Sequence, residues 1–178
     1  TEGWARGNKV VLLDLMGEEE EALALAHRNY ELIERIGDIF SRTWAIYTLG
    51  VARVSHGEFA EGLKALETAE QLYREAMGRG GEAQGWRASY RAEALIGLER
   101  FPEALAAAEE AVEASRGRGL HWSEARALRM LALARAANGD PRVDEAFDEA
   151  IEVCRELGLT RELEAIETAR AEVAAGAR

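Results

Sequence analysis

The sequence contains one cysteine and two prolines among its 178 residues. A single cysteine, Cys154, cannot form a disulfide within the chain, which excludes a disulfide-stapled scaffold and favours a cytoplasmic protein. The scarcity of proline removes the main interruption of long helices. No apolar run approaches the ~18 residues that a membrane-spanning helix needs. The sequence therefore predicts no membrane segment.

Basic residues are also scarce relative to acidic ones. The chain has 22 lysines and arginines against 33 aspartates and glutamates, a formal net charge of −11. Binding to a phosphate backbone requires a basic face, so nucleic acid is not expected as the main ligand. The chain begins "TEGWARG", without an initiator methionine or a secretory leader, and we expect it to be part of a longer protein.

What the sequence does contain is helix-forming residues. Ala, Leu, Glu and Arg dominate, and these are the strongest helix formers. Hydrophobic residues make up 48% of the chain, which is too many for a disordered tail. The composition predicts an all-α protein with a substantial core.

An amphipathic phrase recurs along the chain. "GEFAEGLKALETAE" at 57–70 returns as "ERFPEALAAAEEAV" at 99–112 and, earlier, as "GEEEEALALAHRNY" at 17–30. One small residue of each phrase, and of a fourth copy further on, can be aligned at steps of 40, 42 and 42 residues. These residues are Ala22, Gly62, Ala104 and Ala146. A fixed period of this size indicates a repeat array.

Each repeat reads as two helices joined by a turn. The second helix of the second repeat, near 58–77, has one apolar and one charged face, whereas the first helix, near 40–56, is apolar on two opposite sides. We therefore expect first helices to be inner and second helices outer. The turns within pairs are predicted at Gly17, Gly57, Glu99 and Gly139. The predicted repeats cover 3–36, 39–77, 83–118 and 122–158, and a terminal helix covers 160–175.

These residues resemble the tetratricopeptide repeat (TPR). Leu49 and Gly50 match its Leu-Gly pair, and its turn and second-helix residues are matched by Gly57, Phe59, Gly62, Leu66 and Ala69 and, in the next repeat, by Phe101, Ala104, Ala108 and Ala111. Arg53 stands where the family has an aromatic residue, the closing proline is absent, and the period is near 40 rather than 34. The pattern is similar to long-repeat arrays of bacterial maltose-activator-like regulators and cyclase–ATPase fusions.

The resemblance implies one array over 1–178, a right-handed superhelical solenoid of four helix pairs plus a C-terminal capping helix. It implies a non-catalytic module that binds a protein or peptide in a concave groove, within a larger cytoplasmic signalling or regulatory protein. Function lives in sites and not in folds, so the partner is left open.

Catalytic and metal-binding patterns are not found in the sequence. His27, His56 and His121 have no second ligand at metal-binding spacing. Cys154 reads as a packed thiol. The glycine-rich 78–85 stretch follows no predicted strand, so it does not resemble a phosphate loop. We expect no catalytic residue, no metal and no cofactor.

Charge and tryptophan placement favour a binding surface. The predicted first helices hold nine basic and four acidic residues, whereas the second helices hold 6 basic and 21 acidic ones. The arginines could serve a ligand or pair with neighbouring glutamates, and both readings stay open. Trp4, Trp44 and Trp86 occupy equivalent places, where the fourth first helix has Arg126.

The fourth first helix carries the main candidate site. Trp122, Arg126 and Arg129 share one helical stripe, and Trp86 lies on the equivalent stripe of the preceding first helix. Trp and Arg are enriched at binding hot spots, and two arginines are costly to bury without partners. The predicted ligand-binding set is completed by Trp44 and Tyr47, although for Trp44 the favoured reading is packing against the preceding repeat.

The predicted ligand is an acidic, partly apolar segment of a partner or of the parent protein, and Glu93 is the residue that could neutralise one arginine. Two other functions remain open. One is small-molecule sensing, which would require an enclosed polar pocket between Trp86 and Trp122. The other is a purely architectural array, including a possible homodimer.

Overall fold

A computed structural model describes residues 2–36, 38–77, 85–117 and 121–176, without the side chains of residues 36, 77, 86, 121 and 122. These described residues form nine α-helices and no strand. The predicted all-α fold, with four helix pairs and a terminal helix, is confirmed. The chain divides into two compact units, unit 1 at Thr1–Glu82 and unit 2 at Ala83–Arg178. The predicted continuous array over 1–178 stays a prediction.

Unit 1 contains two helix pairs. Its helices are α1 (Glu2–Met16), α2 (Glu19–Ile36), α3 (Ile39–Ser55) and α4 (Phe59–Met77). Helix α3 contacts all three of the others, and α2 contacts α1 and α3. Nine residues of α3 are buried, more than one face of a helix can supply. Helix α3 is therefore enclosed by its neighbours, as its two apolar sides predicted.

Unit 2 contains two further pairs and the terminal helix. Its helices are α5 (Gly85–Gly97), α6 (Phe101–Gly117), α7 (His121–Ala137), α8 (Val143–Leu157) and α9 (Thr160–Gly176). Helix α7 contacts the other four. Helix α9 packs on α7 and α8 and buries Ile166 and Ala169. It has the place of a first helix that follows the last pair.

Within each unit the first helices pack closely on one another, and the second helices do not. Among the described residues, α1 packs against α3 and α5 against α7, whereas the backbones of α2 and α4, and those of α6 and α8, do not approach each other closely. An ion pair between Arg116 of α6 and Glu149 of α8 still links the second helices of unit 2. The predicted inner and outer roles are therefore confirmed within each unit. Side chains meant for a shared surface are carried by α1, α3, α5 and α7.

The paired helices cross at small residues. A Cβ atom added to Gly62 would lie 3.1 Å from the Val54 nitrogen and 3.2 Å from the Gly50 oxygen, so the backbones of α3 and α4 approach closely. The equivalent residues of the next pair, Ala92 and Ala104, are fully buried. Small residues recur at this position because a larger side chain would separate the helices.

The turns within pairs share one backbone conformation. Gly17, Gly57 and Gly139 have φ angles of 72°, 85° and 68°, which confirms their predicted place. The remaining turn, the third along the chain, holds Glu99 instead, with φ of 58°. This left-handed conformation costs an L-residue about 1–2 kcal/mol, which glycine avoids. Glu99 therefore keeps the repeat geometry at a local energetic cost. Glycines that follow the second helices are also predicted to end them, and those at Gly37, Gly78–Gly81 and Gly119 lie outside the described residues.

Candidate functional site

Trp44 packs against the helix that precedes its own pair. Its ring stacks on Trp4 of α1 with centroids 4.8 Å apart, and on Tyr47 at 5.6 Å. A Cβ atom at Gly7 would lie 2.3 Å from the Trp44 Nε1, so the indole occupies the space that this glycine leaves. Trp44 is thus wedged between α1 and α3. Its contacts are those of a packing residue.

The other members of this aromatic row differ in exposure. Tyr47 is only 3% exposed, whereas Trp4 is 48% exposed. Trp4 therefore forms the solvent-facing end of the row. The two residues predicted to bind the ligand, Trp44 and Tyr47, are its less exposed members. The sequence pattern placed these aromatic residues at equivalent helix positions. It could not show which of them a preceding helix covers.

Arg126 occupies the repeat position of Trp44 in the last helix pair. Its guanidinium carbon lies 3.9 Å from the centroid of the Tyr90 ring, and its Nη2 donates to the Glu93 carboxylate. Both partners belong to α5, the preceding first helix. The contact combines a cation–π interaction with an ion pair. Glu93 therefore does neutralise one arginine of the predicted site.

Arg129, three residues further along α7, is paired with a different helix. Its Nε donates to Glu162 Oε1 of α9 at 2.7 Å, and both side chains are largely buried. The two predicted arginines thus link α7 to α5 and to α9 through carboxylates. The partner Glu162 escaped the sequence reasoning, because the spacing of residues in α7 does not show which face the terminal helix covers.

Several other cations of the first helices also have carboxylate partners. Arg91 lies 3.4 Å from Glu110, Lys9 lies 3.3 Å from Glu21, and the Arg53 Nε lies 3.5 Å from Glu58. These pairs join first helices to the acidic second helices or to the turn before them. Exposed pairs contribute at most about 1 kcal/mol each. Several basic side chains of the first helices therefore already have a carboxylate partner.

Trp86 and Trp122 begin α5 and α7, but their side chains lie outside the described part of the structure. Of the predicted unit 2 site, the structure describes the side chains of Arg126 and Arg129. They lie three residues apart on one helix, with about a seventh of each side chain exposed. A ligand would meet them as a narrow, partly exposed strip on α7.

A shallow depression of about 460 Å³ lies between α8 and α9. It is lined by Asp148, Ile151, Glu152, Arg155, Glu156 and Arg170. Arg170 donates to Asp148 at 2.6 Å and to Asp144 at 2.8 Å, and these carboxylates raise the pKa of Arg170. None of the predicted ligand-binding residues lines this depression. Its charges join α9 to α8.

The described residues place no metal-binding group of three or more His, Cys, Asp or Glu side chains together. The one thiol, Cys154, is buried in α8, and burial raises its pKa to about 11. A thiol with so high a pKa stays protonated at neutral pH and is a poor nucleophile. Within the part of the chain that the structure describes, no helix is long and apolar enough to cross a membrane.

Known structures share this fold. The TPR-like repeats of a kinesin light chain-like protein from Podosopora anserina, which are nearly identical to one another, match with a TM-score of 0.63 at 17% sequence identity. The match covers 94% of this chain and 86% of the other. A single-substitution variant of that protein gives the same values. No family model and no curated protein matches the chain.

The comparison establishes the fold as a TPR-like helical repeat. Stacked repeats of this kind present extended surfaces. At 17% identity the likeness does not extend to a particular ligand. The choice of ligand depends on the side chains that this chain presents on its surface.

Proposed function

We propose that this chain is a non-catalytic protein-binding module of a larger cytoplasmic signalling or regulatory protein. The observation that carries the proposal is the pair of arginines on α7, within a TPR-like fold. Arg126 and Arg129 are held in fixed positions by Glu93 and Glu162, and each keeps a small exposed area. Side chains that are already ordered lose less entropy when a ligand binds.

An arginine that is paired can still bind a second carboxylate. A guanidinium carries five N–H donors in a planar fork, more than one carboxylate can accept. A ligand carboxylate can therefore share Arg129 with Glu162. The resident glutamates reduce the local positive charge, so we expect binding to depend only moderately on salt concentration.

The proposed ligand is an acidic, partly apolar segment of a partner protein or of the parent chain. Carboxylates of the segment would meet the α7 arginines, and its apolar residues would meet Trp86 and Trp122. Trp44 and Tyr47 contribute to packing in unit 1, so the proposed ligand surface is narrowed to α5 and α7. Aromatic and arginine side chains together form the residue set most enriched at binding hot spots.

A phage-displayed library of random peptides tests this proposal without a known partner. We expect peptides selected on the wild-type chain to combine Asp or Glu with apolar residues. Binding of these peptides should then be measured against a charge-swap variant, Glu93→Arg with Arg126→Glu. The swap keeps an ion pair between α5 and α7 but moves the guanidinium to the other helix, so binding should weaken about tenfold or more.

The matched control is the swap Glu70→Arg with Arg74→Glu. This pair lies on α4, a second helix, with its charges 2.9 Å apart. Both swap variants should keep the wild-type helical content by circular dichroism. The proposal would be wrong if the selected peptides lacked carboxylates, or if the two swaps changed binding equally.

A further inference from the structure

Helix α1 carries an apolar stripe that no other described residue covers. The stripe, called here the α1 stripe, consists of Trp4, Ala5, Asn8, Leu12, Leu15 and Met16, all of which are exposed. Leu12 is 59% exposed and Met16 is 60% exposed. The opposite face of α1 buries Gly3, Gly7, Val10 and Leu13 in unit 1. The helix is therefore apolar on both sides but packed on one.

The size of the α1 stripe sets it apart from scattered exposed leucines. Its four large side chains expose roughly 450 Å², within the ~300–600 Å² of the largest patches on typical monomers, which are often functional. It contains no carboxylate, although the chain carries a net charge of −11. The residues of the α1 stripe therefore place no like charge against a second copy, although Glu2 and Asp14 lie elsewhere on the same helix.

The internal repeat indicates that another helix pair of the same kind does not cover the α1 stripe. Leu12 is equivalent to Ala52, Ala94 and Ala134 in the later first helices, and all three alanines are fully buried. In unit 1, Ala52 packs in one cluster with Val10 and Ala22 of the preceding pair. Alanine at this position lets a preceding pair approach closely, and a leucine is too large for that arrangement. The stripe is therefore not shaped for another pair of the same kind.

The spacing of the stripe suits a second copy of itself. In an antiparallel arrangement about a two-fold axis near the middle of α1, Trp4 faces Leu15 of the second copy, and the small Ala5 faces Met16 of the second copy. Asn8 then lies beside Leu12 of the second copy. Each residue of the stripe thus faces another residue of the stripe, as a self-complementary two-fold interface requires.

From this complementarity, and from the lack of acidic groups, we propose that the chain forms a homodimer through the α1 stripe. Two copies would bury at most roughly 900 Å², which is below the ~1,200 Å² of standard specific interfaces and in the range of weak, transient ones, so the dimer should be weak. This inference is independent of the proposed ligand surface, which lies in unit 2. Peptide binding at α7 and dimer formation at α1 can therefore fail separately.

Sedimentation velocity on the whole chain, between about 1 and 200 µM, tests the dimer. We expect a reversible monomer–dimer equilibrium with a dissociation constant of about 10–100 µM. The variant Leu12→Glu with Met16→Glu should raise this constant about 30-fold or more, because it places like charges in contact. The control Phe40→Glu with Leu157→Glu changes two similarly exposed apolar residues outside the stripe and should leave the constant unchanged.

The antiparallel register has a test that does not depend on affinity. Asn8→Cys with Leu12→Cys should form disulfide-linked dimers under mild oxidation, since the other thiol, Cys154, is buried. Glu20→Cys with Ala24→Cys repeats the four-residue spacing on α2 and should stay uncrosslinked. A wild-type chain that is monomeric at every concentration, equal effects of the two glutamate variants, or equal crosslinking of the two cysteine pairs would overturn the proposal.

Discussion

Trp44 in unit 1 and Arg126 in unit 2 occupy the same position of the repeat but make different contacts. Trp44 stacks on Trp4 of the preceding first helix. Arg126 instead lies over Tyr90 and pairs with Glu93, both of the preceding first helix. The repeat therefore keeps a contact between successive first helices rather than a residue type. The polar version of this contact leaves hydrogen-bonding groups near the surface, which the aromatic version does not.

The helix crossings of the two units differ in the same way. In unit 1 the pair α3 and α4 crosses at Gly50 and Gly62, with backbone atoms close to both glycines. In unit 2 the equivalent residues of α5 and α6 are Ala92 and Ala104. One crossing excludes any side chain, and the other accommodates a methyl group on each helix. The four predictions below test both contrasts, beginning with the largest effect.

A large side chain should be most harmful at the glycine crossing. We expect Gly62→Leu to destabilise the chain by about 3 kcal/mol or more, because the added atoms would meet backbone. Its Cβ alone would lie 2.6 Å from the Val54 Cγ2. Ala108→Leu, at a buried alanine of α6, should cost about 1–3 kcal/mol. Denaturant unfolding measures both, and an equal cost would remove the contrast between the crossings.

Removal of the aromatic wedge should have the next largest effect. Trp44→Ala leaves a void beside Gly7, Trp4 and Tyr47, and should cost about 2–3 kcal/mol, less than for a fully buried ring. Chemical denaturation followed by circular dichroism reports this loss. Trp4→Ala removes the exposed end of the same row and is the matched control. If it were equally costly, the stack itself, and not the filled space, would supply the stability.

The ion-paired version of the contact should be weaker and sensitive to salt. Arg126→Met keeps part of the packing over Tyr90 but removes the charge, and should cost about 1 kcal/mol. The cost should shrink as sodium chloride is added, because salt screens the lost attraction. Urea titrations at low and high salt measure the difference. A cost that does not depend on salt would assign the role of Arg126 to packing alone.

The smallest effect is expected at the turns. Glu99→Gly should stabilise the chain by about 0.5–1 kcal/mol, since glycine adopts the left-handed conformation without strain but has a more flexible unfolded state. Gly139→Ala should destabilise it by a similar amount, because it introduces that strain in the next repeat. Thermal unfolding of both variants measures the difference. Shifts of the same sign would contradict the account of the turns.

The repeat period predicted the helix pairs and their turns well, because both depend on local sequence. A glycine every 40 residues or so, followed by an amphipathic helix, requires no knowledge of distant contacts. It even located the turn at Glu99, although not its strained backbone. The small residues at the crossings, such as Gly62 and Ala104, were equally visible, since a close approach of two helices restricts side-chain size directly.

The candidate site was less predictable, because it depends on which helix faces cover one another. Arg126 and Arg129 were recognised as unusual, and Glu93 was identified as a possible partner. The Arg129–Glu162 pair depends on how α9 docks on α7, which helical spacing alone does not specify. Likewise, Trp4 and Trp44 have the same place in the repeat, but Trp44 packs against α1 whereas Trp4 is 48% exposed.

The modest burial of α9 has a consequence for the dynamics of unit 2. Helix α9 buries two side chains, whereas α7 is enclosed by four helices, so α9 should detach in local opening events that leave α7 folded. Amide hydrogens of α9 should then exchange with solvent much faster than those of α7. Because Glu162 leaves with α9, each opening would also uncover the Arg129 guanidinium for as long as the open state lasts.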